Sequence, residues 1–194
     1  MDGLSIRRRI ALDIARSMRK SQEEEHPLRQ LFWECTLRCN LRCQHCGSDC
    51  KQVAATPDMP KEDFFKVLDS IAAKTDPHKV FVIISGGEPT MRADLEECGK
   101  GIYSRGFPWG MVTNGFGMTA ERFSRLLGAG LHSMTVSLDG LEENHDWLRG
   151  REGSFTRAAE TIRMAVRSGI AFDVVTCVNR RNYSQLPQLK EFLI

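Results

Sequence analysis

Short apolar runs alternate with longer amphipathic segments along most of the chain. The apolar runs predict five strands, at residues 31–33, 80–84, 109–112, 133–138 and 172–178. Between and after them, apolar residues recur every three or four positions, which predicts helices over residues 59–73, 94–105, 119–127, 154–165 and 186–194. Thr119 and Ser154 are expected to cap two of these helices. This order predicts repeated β-α-β units, and therefore an α/β fold with a parallel sheet.

The second apolar run, Val80 to Ile84, has no polar position. A strand buried on both faces of a parallel sheet has this pattern, because helices cover both faces. Ligands of parallel sheets bind at the carboxyl ends of the strands, which meet at one edge. The segments that follow the first four strands therefore predict one shared site: a cysteine-containing loop, Gly86-Gly87-Glu88-Pro89, Thr113-Asn114-Gly115 and Ser137-Leu138-Asp139-Gly140.

A separate amphipathic helix is predicted over residues 4–19, before the first strand. The polar residues 21–25 are expected to end it, and Pro27 marks a connector. We therefore expect residues 1–28 to form a helical extension and residues 29–194 to form the core. The last helical pattern carries no stop signal, so we expect the core to continue beyond residue 194.

Composition narrows the classes of protein to consider. Hydrophobic residues at 41% and charged residues at 27% of 194 are typical of a globular protein with one substantial core. The formal net charge of +2 does not predict a nucleic-acid partner, and Arg7-Arg8-Arg9 is expected to be a solvated helix face. No apolar stretch reaches the roughly 18 residues of a membrane span, and no secretory signal is recognisable. We expect a cytoplasmic protein with no membrane partner, whose thiols stay reduced.

Four of the seven cysteines lie within twelve residues, which indicates metal binding rather than disulfides. Cys39, Cys43 and Cys46 have the spacing C-x3-C-x2-C. Three thiolates on a short loop can hold three irons of a 4Fe–4S cluster and leave the fourth open. An open coordination position is what distinguishes a catalytic metal centre from a structural one. As a fourth ligand, Cys50 would block the open position. We therefore expect its thiol to lie near the ligands without binding the metal, to be exposed, or to contact the substrate.

A zinc site is the alternative interpretation of the same residues. Its ligands would come from Cys35, Cys39, Cys43, His45 and Cys46. Structural zinc sites usually pair two short clips across a longer loop, and no second clip follows here. The remaining cysteines lie in apolar or helical patterns and are expected in the core: Cys35, Cys98 and Cys177.

The motifs together resemble the radical S-adenosylmethionine (SAM) superfamily over residues 30–190. The resemblance rests on C-x3-C-x2-C directly after a first strand, on Gly-Gly-Glu-Pro, and on Ser-Leu-Asp-Gly followed by His145-Asp146 and Arg149. The last pattern resembles the members that carry a C-terminal SPASM domain, which modify peptides and proteins or mature sulfatases. The resemblance implies a partial (β/α)6 TIM-like barrel, incomplete at its C-terminus and without the SPASM domain.

The resemblance also implies cofactors and an activity. A 4Fe–4S cluster would be held by Cys39, Cys43 and Cys46, and SAM would bind its open iron. Reductive cleavage of SAM would give a 5′-deoxyadenosyl radical that abstracts hydrogen from a peptide, protein or small-molecule substrate. An electron donor such as flavodoxin or ferredoxin would supply the electron. Two other functions stay open: a zinc-stabilised binding module, and a family member that holds the cluster without chemistry.

Particular residues acquire cofactor-binding roles from the resemblance. Gly86, Gly87, Glu88 and Pro89 would meet the amino group of SAM, with Glu88 as the charged contributor. His45 would neighbour the cofactor.

Residues at the later strand ends acquire roles in the same way. Thr113 and Asn114 would lie close to the cofactor, and Ser137 and Asp139 would lie near its ribose or carboxylate. Arg149 would clamp the carboxylate, since a guanidinium fork matches it; the alternative for Arg149 is a surface salt bridge. Val178, at the end of the fifth strand, would face the adenosine.

Overall fold

The computed structural model describes residues 5–48 and 50–194. Within these residues it contains a five-stranded parallel sheet in which each strand pairs with the next one along the chain. The strands are β1 Gln30–Glu34, β2 Phe81–Ser85, β3 Trp109–Thr113, β4 Leu131–Ser137 and β5 Ala171–Val175. All five carboxyl ends therefore lie at the same edge of the sheet, as the sequence predicted.

Seven α-helices are assigned in the described residues. They are α1 Ile6–Glu25, α2 Lys61–Ala72, α3 Leu95–Tyr103, α4 Ala120–Gly128, α5 Glu142–Arg149, α6 Ser154–Ser168 and α7 Leu186–Leu193. Short 3-10 helices occupy Pro77–Lys79, Pro89–Met91 and Tyr183–Gln185. None of the helices in this part of the chain is long and apolar enough to cross a membrane.

The core lies between the sheet and its helices, and glycines let large rings into it. Trp109 of β3 is fully buried, and its indole N–H donates to Ala129 O over 3.2 Å. A Cβ on Gly99 of α3 would overlap the Trp109 ring, and one on Gly101 would overlap Phe65. The absence of side chains at these positions lets α3 pack closely against the sheet at Gly99 and against α2 at Gly101.

Helix α1 is longer than the sequence pattern predicted. Residue 4, where the helix was expected to begin, lies outside the described residues. The helix runs on to Glu25 instead of ending in the polar stretch 21–25. Gln and Glu have high helix propensity, so polarity alone does not end a helix, whereas the residue before Pro27 is restricted away from helical geometry. His26, directly after the helix, has a φ of 44°.

Helix α5 was not predicted, and it changes how α6 begins. Ser154 was expected to cap α6, but the capping position is Gly153 and Ser154 is the first helical residue. The cap comes from α5: the Asp146 carboxylate accepts from Gly153 N at 2.6 Å, Phe155 N at 2.7 Å and Ser154 Oγ at 2.8 Å. Thr119 does cap α4, accepting from Arg122 N, as predicted.

Strand β5 ends three residues earlier than predicted. Past Val175 the chain turns towards the end of β4, because Cys177 N donates to Asp139 Oδ1 at 2.7 Å and Asn182 Nδ2 donates to Cys177 O at 2.9 Å. Val178 therefore lies outside the strand and is 54% exposed. The expectation that Cys177 is a core residue was wrong, since it is exposed, while Cys35 and Cys98 are buried as expected.

Candidate functional site

A cavity of about 140 Å³ lies at the carboxyl ends of the strands. It brings together eleven of the residues that the sequence nominated: Cys39, Cys43, His45, Cys46, Gly86, Gly87, Glu88, Thr113, Asn114, Ser137 and Arg149. Three nominated residues do not line it: Pro89, Asp139 and Val178. Pro89 is buried at the start of a 3-10 helix. Val178 lies beyond the end of β5, is exposed and does not line the cavity.

Backbone hydrogen bonds hold the cysteine loop at Cys39 and at Gln44. Cys39 N donates to Lys51 O at 2.8 Å, and Gln44 N donates to Leu148 O of α5 at 2.8 Å. Gly150 ends α5 in the left-handed conformation, and a Cβ there would overlap Arg42 O. The close approach of α5 thus fixes where the three thiols stand.

The loop lies between two cavities. A second one, of about 350 Å³, is also lined by Cys39, Cys43, Cys46 and Cys50, together with Leu41, Arg42 and Lys51. Cys39 and Cys43 are partly buried and Cys46 is exposed. Cys50 lines both cavities beside the three predicted ligands, so it is closer to the site than the sequence indicated.

Burial disfavours the charged form of these thiols. It raises the pKa of Cys39 to about 11. Burial also raises the pKa of Cys43, while the positive charge of Arg149 acts in the opposite direction. A metal must displace these protons, because only a thiolate is a good ligand.

Two hydrogen-bond donors point at cysteine sulfurs. Asn114 Nδ2 lies 3.9 Å from Cys39 Sγ, and Arg149 Nη1 lies 3.7 Å from Cys43 Sγ. They reach the loop from different elements, since Asn114 follows β3 and Arg149 ends α5. Donors to ligating sulfur are a recurrent feature of iron–sulfur sites, where they tune the reduction potential.

The two glycines after β2 serve a backbone contact with the segment that precedes the cysteine loop. Gly87 N donates to Thr36 O at 2.8 Å, and Glu88 N donates to Arg38 O at 2.9 Å. A Cβ on Gly86 would overlap Thr36 O, and Gly86 has a φ of 135°, a region that glycine adopts readily. The glycines therefore continue the pairing of β1 with β2 beyond the strands.

Glu88 lines the cavity, but protein donors surround its carboxylate. Oε1 accepts from Thr90 N at 3.1 Å and from the hydroxyls of Thr90 and Thr113 at 2.7 Å each. Oε2 accepts from Asn114 N at 2.7 Å. Glu88 thus ties the end of β2 to the end of β3, and its contact with the amino group of SAM stays a prediction.

Asp139 and Arg149 form a buried ion pair, with 2.6 Å between Oδ2 and Nη2. The alternative of a surface salt bridge for Arg149 was therefore wrong, because both residues are buried. Asp139 also accepts from Cys177 N, and its backbone O accepts from Asn182 Nδ2 at 2.6 Å. Its role in the structure is to anchor Arg149, which does line the cavity.

His145 completes this anchor from α5. Its Nδ1 accepts a hydrogen bond from Asp139 N at 3.0 Å. Burial, reinforced by the charge of Arg149, lowers the pKa of His145 to about 4, so the imidazole is neutral near pH 7. A neutral ring can accept at Nδ1, whereas an imidazolium cannot.

Sequence reasoning missed several residues of the site. Asn40 accepts a hydrogen bond from Asn114 Nδ2 at 2.8 Å, and its position inside the cysteine motif could have nominated it. Ser85, the last residue of β2, could also have been nominated, because it directly precedes the two glycines. The lining residues that were not nominated are Ser48, Cys50, Ser85 and Val112.

The donor set fits a 4Fe–4S cluster. Among residues 5–48 and 50–194, no three Cys, His, Asp or Glu side chains gather round a point that could hold a single metal ion. In a cubane each thiolate binds a different iron, so its ligands stand further apart than those of one zinc ion. Three thiols line one cavity here, and N–H donors face two of them, as is recurrent at iron–sulfur sites.

A parallel α/β sheet with a three-cysteine loop and a cavity at its carboxyl edge is typical of α/β enzymes that hold an iron–sulfur cluster in that loop. Residues 33–193 match the Radical SAM superfamily, and the chain belongs to it. Members use a 4Fe–4S cluster and SAM, the two cofactors expected from the sequence. Family membership disfavours the zinc module.

Curated relatives support the same family. The chain is 32% identical to the Fe-coproporphyrin III synthase of Methanosarcina barkeri, over 84% of this chain and 40% of that protein. It is 27% identical to the PqqA peptide cyclase of Rhizobium meliloti, over 87% of this chain and 44% of that protein. The chain thus spans less than half the length of these relatives.

Solved structures confirm the fold. Streptococcus suis SuiB, bound to SAM or to its precursor peptide SuiA, matches with a TM-score of 0.73 and 18% identity. The match covers 100% of this chain and 45% or 43% of SuiB, respectively. The α/β fold of radical SAM type, expected as a partial barrel, is therefore confirmed. The expected resemblance to the peptide-modifying group is supported by the similarity to PqqA peptide cyclase.

Proposed function

We propose that this chain is a radical-generating enzyme domain whose carboxyl-edge cavity holds a 4Fe–4S cluster and SAM. When bound, the reduced cluster supplies the electron that cleaves SAM to methionine and a 5′-deoxyadenosyl radical, which abstracts hydrogen from the substrate. Cys39, Cys43 and Cys46 are the proposed ligands. The observation that carries the proposal is their convergence on one cavity with N–H donors aimed at two of the sulfurs.

The protein's own groups have distinct proposed tasks. Arg149 would orient the carboxylate of SAM, because the Asp139 ion pair holds its guanidinium at the cavity wall. The Ser137 hydroxyl lines the same wall and would hydrogen-bond the ribose or carboxylate. His45 is exposed at the rim and would neighbour the cofactor. Burial of Ser137 and Arg149 at this wall would limit the access of water to a bound cofactor.

The division into a helical extension, residues 1–28, and a core, residues 29–194, belongs to this proposal. It is supported by the exposure of the described α1 side chains and by the start of the family match at residue 33. A flavodoxin or ferredoxin in the cytoplasm is the proposed electron source.

Replacing one ligand tests the cluster assignment. The wild-type chain is reconstituted anaerobically with iron and sulfide, and its iron content and visible spectrum are measured. Cys43→Ala is expected to lose the cluster and to form no 5′-deoxyadenosine from SAM under dithionite. Cys177→Ala is the matched control, because Cys177 is an exposed thiol that does not line the cavity, and it should keep both.

Two results would contradict the proposal. One is a colourless wild-type chain that binds zinc tightly instead. The other is a Cys43→Ala variant that retains full iron content and SAM cleavage. A wild-type chain that loads the cluster but never forms 5′-deoxyadenosine would instead support the family member without chemistry.

The proposed substrate is a peptide or protein, which is supported by the similarity to PqqA peptide cyclase and by the motif after β4. A tetrapyrrole is a second candidate, favoured by the higher identity to Fe-coproporphyrin III synthase. Deuterated substrates of each class separate the two, since the true substrate transfers deuterium to 5′-deoxyadenosine. Transfer from neither class would remove both candidates.

A further inference from the structure

Asn114 is held in one orientation beside the cysteine loop. Its backbone N donates to Glu88 Oε2 at 2.7 Å, and its Oδ1 accepts from Phe116 N at 2.9 Å. Its Nδ2 donates to Asn40 Oδ1 at 2.8 Å and lies 3.9 Å from Cys39 Sγ. Exchanging O and N of the amide would break both side-chain contacts, so the N–H group must face the sulfur.

Glu88 holds the backbone from which this side chain projects. The Glu88 carboxylate is 1% exposed and accepts four hydrogen bonds, two from Thr90, one from Thr113 and one from Asn114. The 3-10 turn that contains Thr90 is itself fixed by Arg122, whose guanidinium donates to Thr90 O at 2.6 Å and Arg92 O at 3.0 Å. Glu88 therefore cannot shift without releasing the end of β3.

A donor beside a ligating sulfur acts more strongly on the reduced cluster than on the oxidised one. The reduced form carries one more negative charge, which is spread partly over the sulfurs. An N–H group stabilises that charge, and a site that loses it is harder to reduce.

We propose that Asn114 donates a hydrogen bond to the Cys39 sulfur of the loaded cluster and raises its reduction potential, and that Glu88 is the positioning residue that aims it. This inference rests on the proposed function. It assigns Glu88 an effect on the cluster that passes through Asn114, without requiring a contact with SAM.

The test measures the midpoint potential of the reconstituted cluster by EPR-monitored titration with dithionite, in the absence of SAM. Asn114→Ala is expected to leave iron content unchanged and to lower the reduced-to-oxidised ratio about tenfold at the wild-type midpoint, a shift of about 59 mV to more negative values. Asn114→Asp keeps the acceptor for Phe116 N but replaces the donor with a charge, so its shift should be larger. Gln188→Ala removes an exposed carboxamide from α7 and should match wild type.

Glu88→Gln distinguishes positioning from direct electrostatics. Loss of the negative charge alone would make the cluster easier to reduce. Loss of the contact that positions Asn114 makes the cluster harder to reduce. That loss is expected because the –NH₂ group of Gln would face N–H and O–H groups that are themselves donors. We expect a negative shift, smaller than that of Asn114→Ala.

Three outcomes overturn the inference. A wild-type midpoint in Asn114→Ala at full iron content removes the role of Asn114, and a positive shift in Glu88→Gln removes the positioning role of Glu88. Under either of these two outcomes, the proposed function stands as long as the wild-type chain assembles a cluster and cleaves SAM. A wild-type chain that assembles no cluster overturns both.

Discussion

At the residue scale, the charged groups of the site are paired inside the protein before any cofactor binds. The Arg149 guanidinium meets the Asp139 carboxylate on one side and the Cys43 sulfur on the other. Removing one partner of a buried pair leaves the other charge uncompensated, which is costly. The Asp139–Arg149 pair thus holds the guanidinium at the wall of the cavity.

The neutral state of His145 predicts a pH dependence of stability. Its pKa falls from about 6.5 to about 4 on folding, so the unfolded chain binds more protons between these values. The contribution is fully present above pH 6.5 and is lost as pH falls towards 4, by at most about 3 kcal/mol. Urea denaturation of the apoprotein at pH 7.5 and 4.5 measures this loss.

The variant His145→Gln isolates the part of this pH-dependent loss of stability that is due to His145. His145→Gln should unfold more easily at pH 7.5 but should lose less stability between pH 7.5 and 4.5 than wild type does. His132→Gln, at an exposed histidine, should keep the wild-type dependence. An unchanged loss in His145→Gln would show that His145 is not the group that titrates.

At the element scale, α6 depends on a cap supplied by α5. Asp146→Ala removes three hydrogen bonds from the first turn of α6 and is expected to cost about 2 kcal/mol of unfolding free energy. Glu142→Ala, at an exposed carboxylate on the same helix, should cost less than about 0.5 kcal/mol. Urea unfolding curves compare the two, and equal losses would contradict the capping role.

Whether an element was predicted depended on how local its signals are. The Val80 to Ile84 run identified β2, and the cap of α4 was found because Thr119 binds a backbone N–H within its own helix. Helix α5 was missed because its eight residues are mostly polar. The cap of α6 was misassigned because its acceptor lies in another helix.

At the scale of the whole molecule, α1 contributes little to the fold. The residues from Ser5 to Ser21 are all exposed, with Ile6 77% accessible and Ile14 56%. Deleting residues 1–28 should therefore change the unfolding free energy of the rest by less than about 0.5 kcal/mol. Leu189→Ala, at a buried position of α7, should cost about 2–5 kcal/mol and serves as the comparison. A truncated chain that unfolds before the Leu189→Ala variant would refute the independence of the core.

The location of the site could be predicted from the sequence because parallel topology alone brings the strand ends together. Its internal contacts could not. The bond from Asn114 to Asn40 and the direction of Glu88 depend on side-chain geometry between distant segments, which no local pattern encodes. Val178 was nominated because the fifth strand was expected to run to residue 178, and the turn towards Asp139 that removes it from the strand is a long-range contact.

The two sulfur contacts also bear on the order of events during synthesis. Cys39 and Asn114 are 75 residues apart in the chain, and Cys43 and Arg149 are 106 apart. The cysteine loop therefore leaves the ribosome long before either donor exists. Neighbouring strands of the sheet are also consecutive in the chain. A nascent chain can therefore present its thiols before it can form the hydrogen bonds to their sulfurs. A cluster assembled before α5 is translated is accordingly expected to lack the hydrogen bond from Arg149, and to reach the wild-type reduction potential only after α5 has folded against the loop.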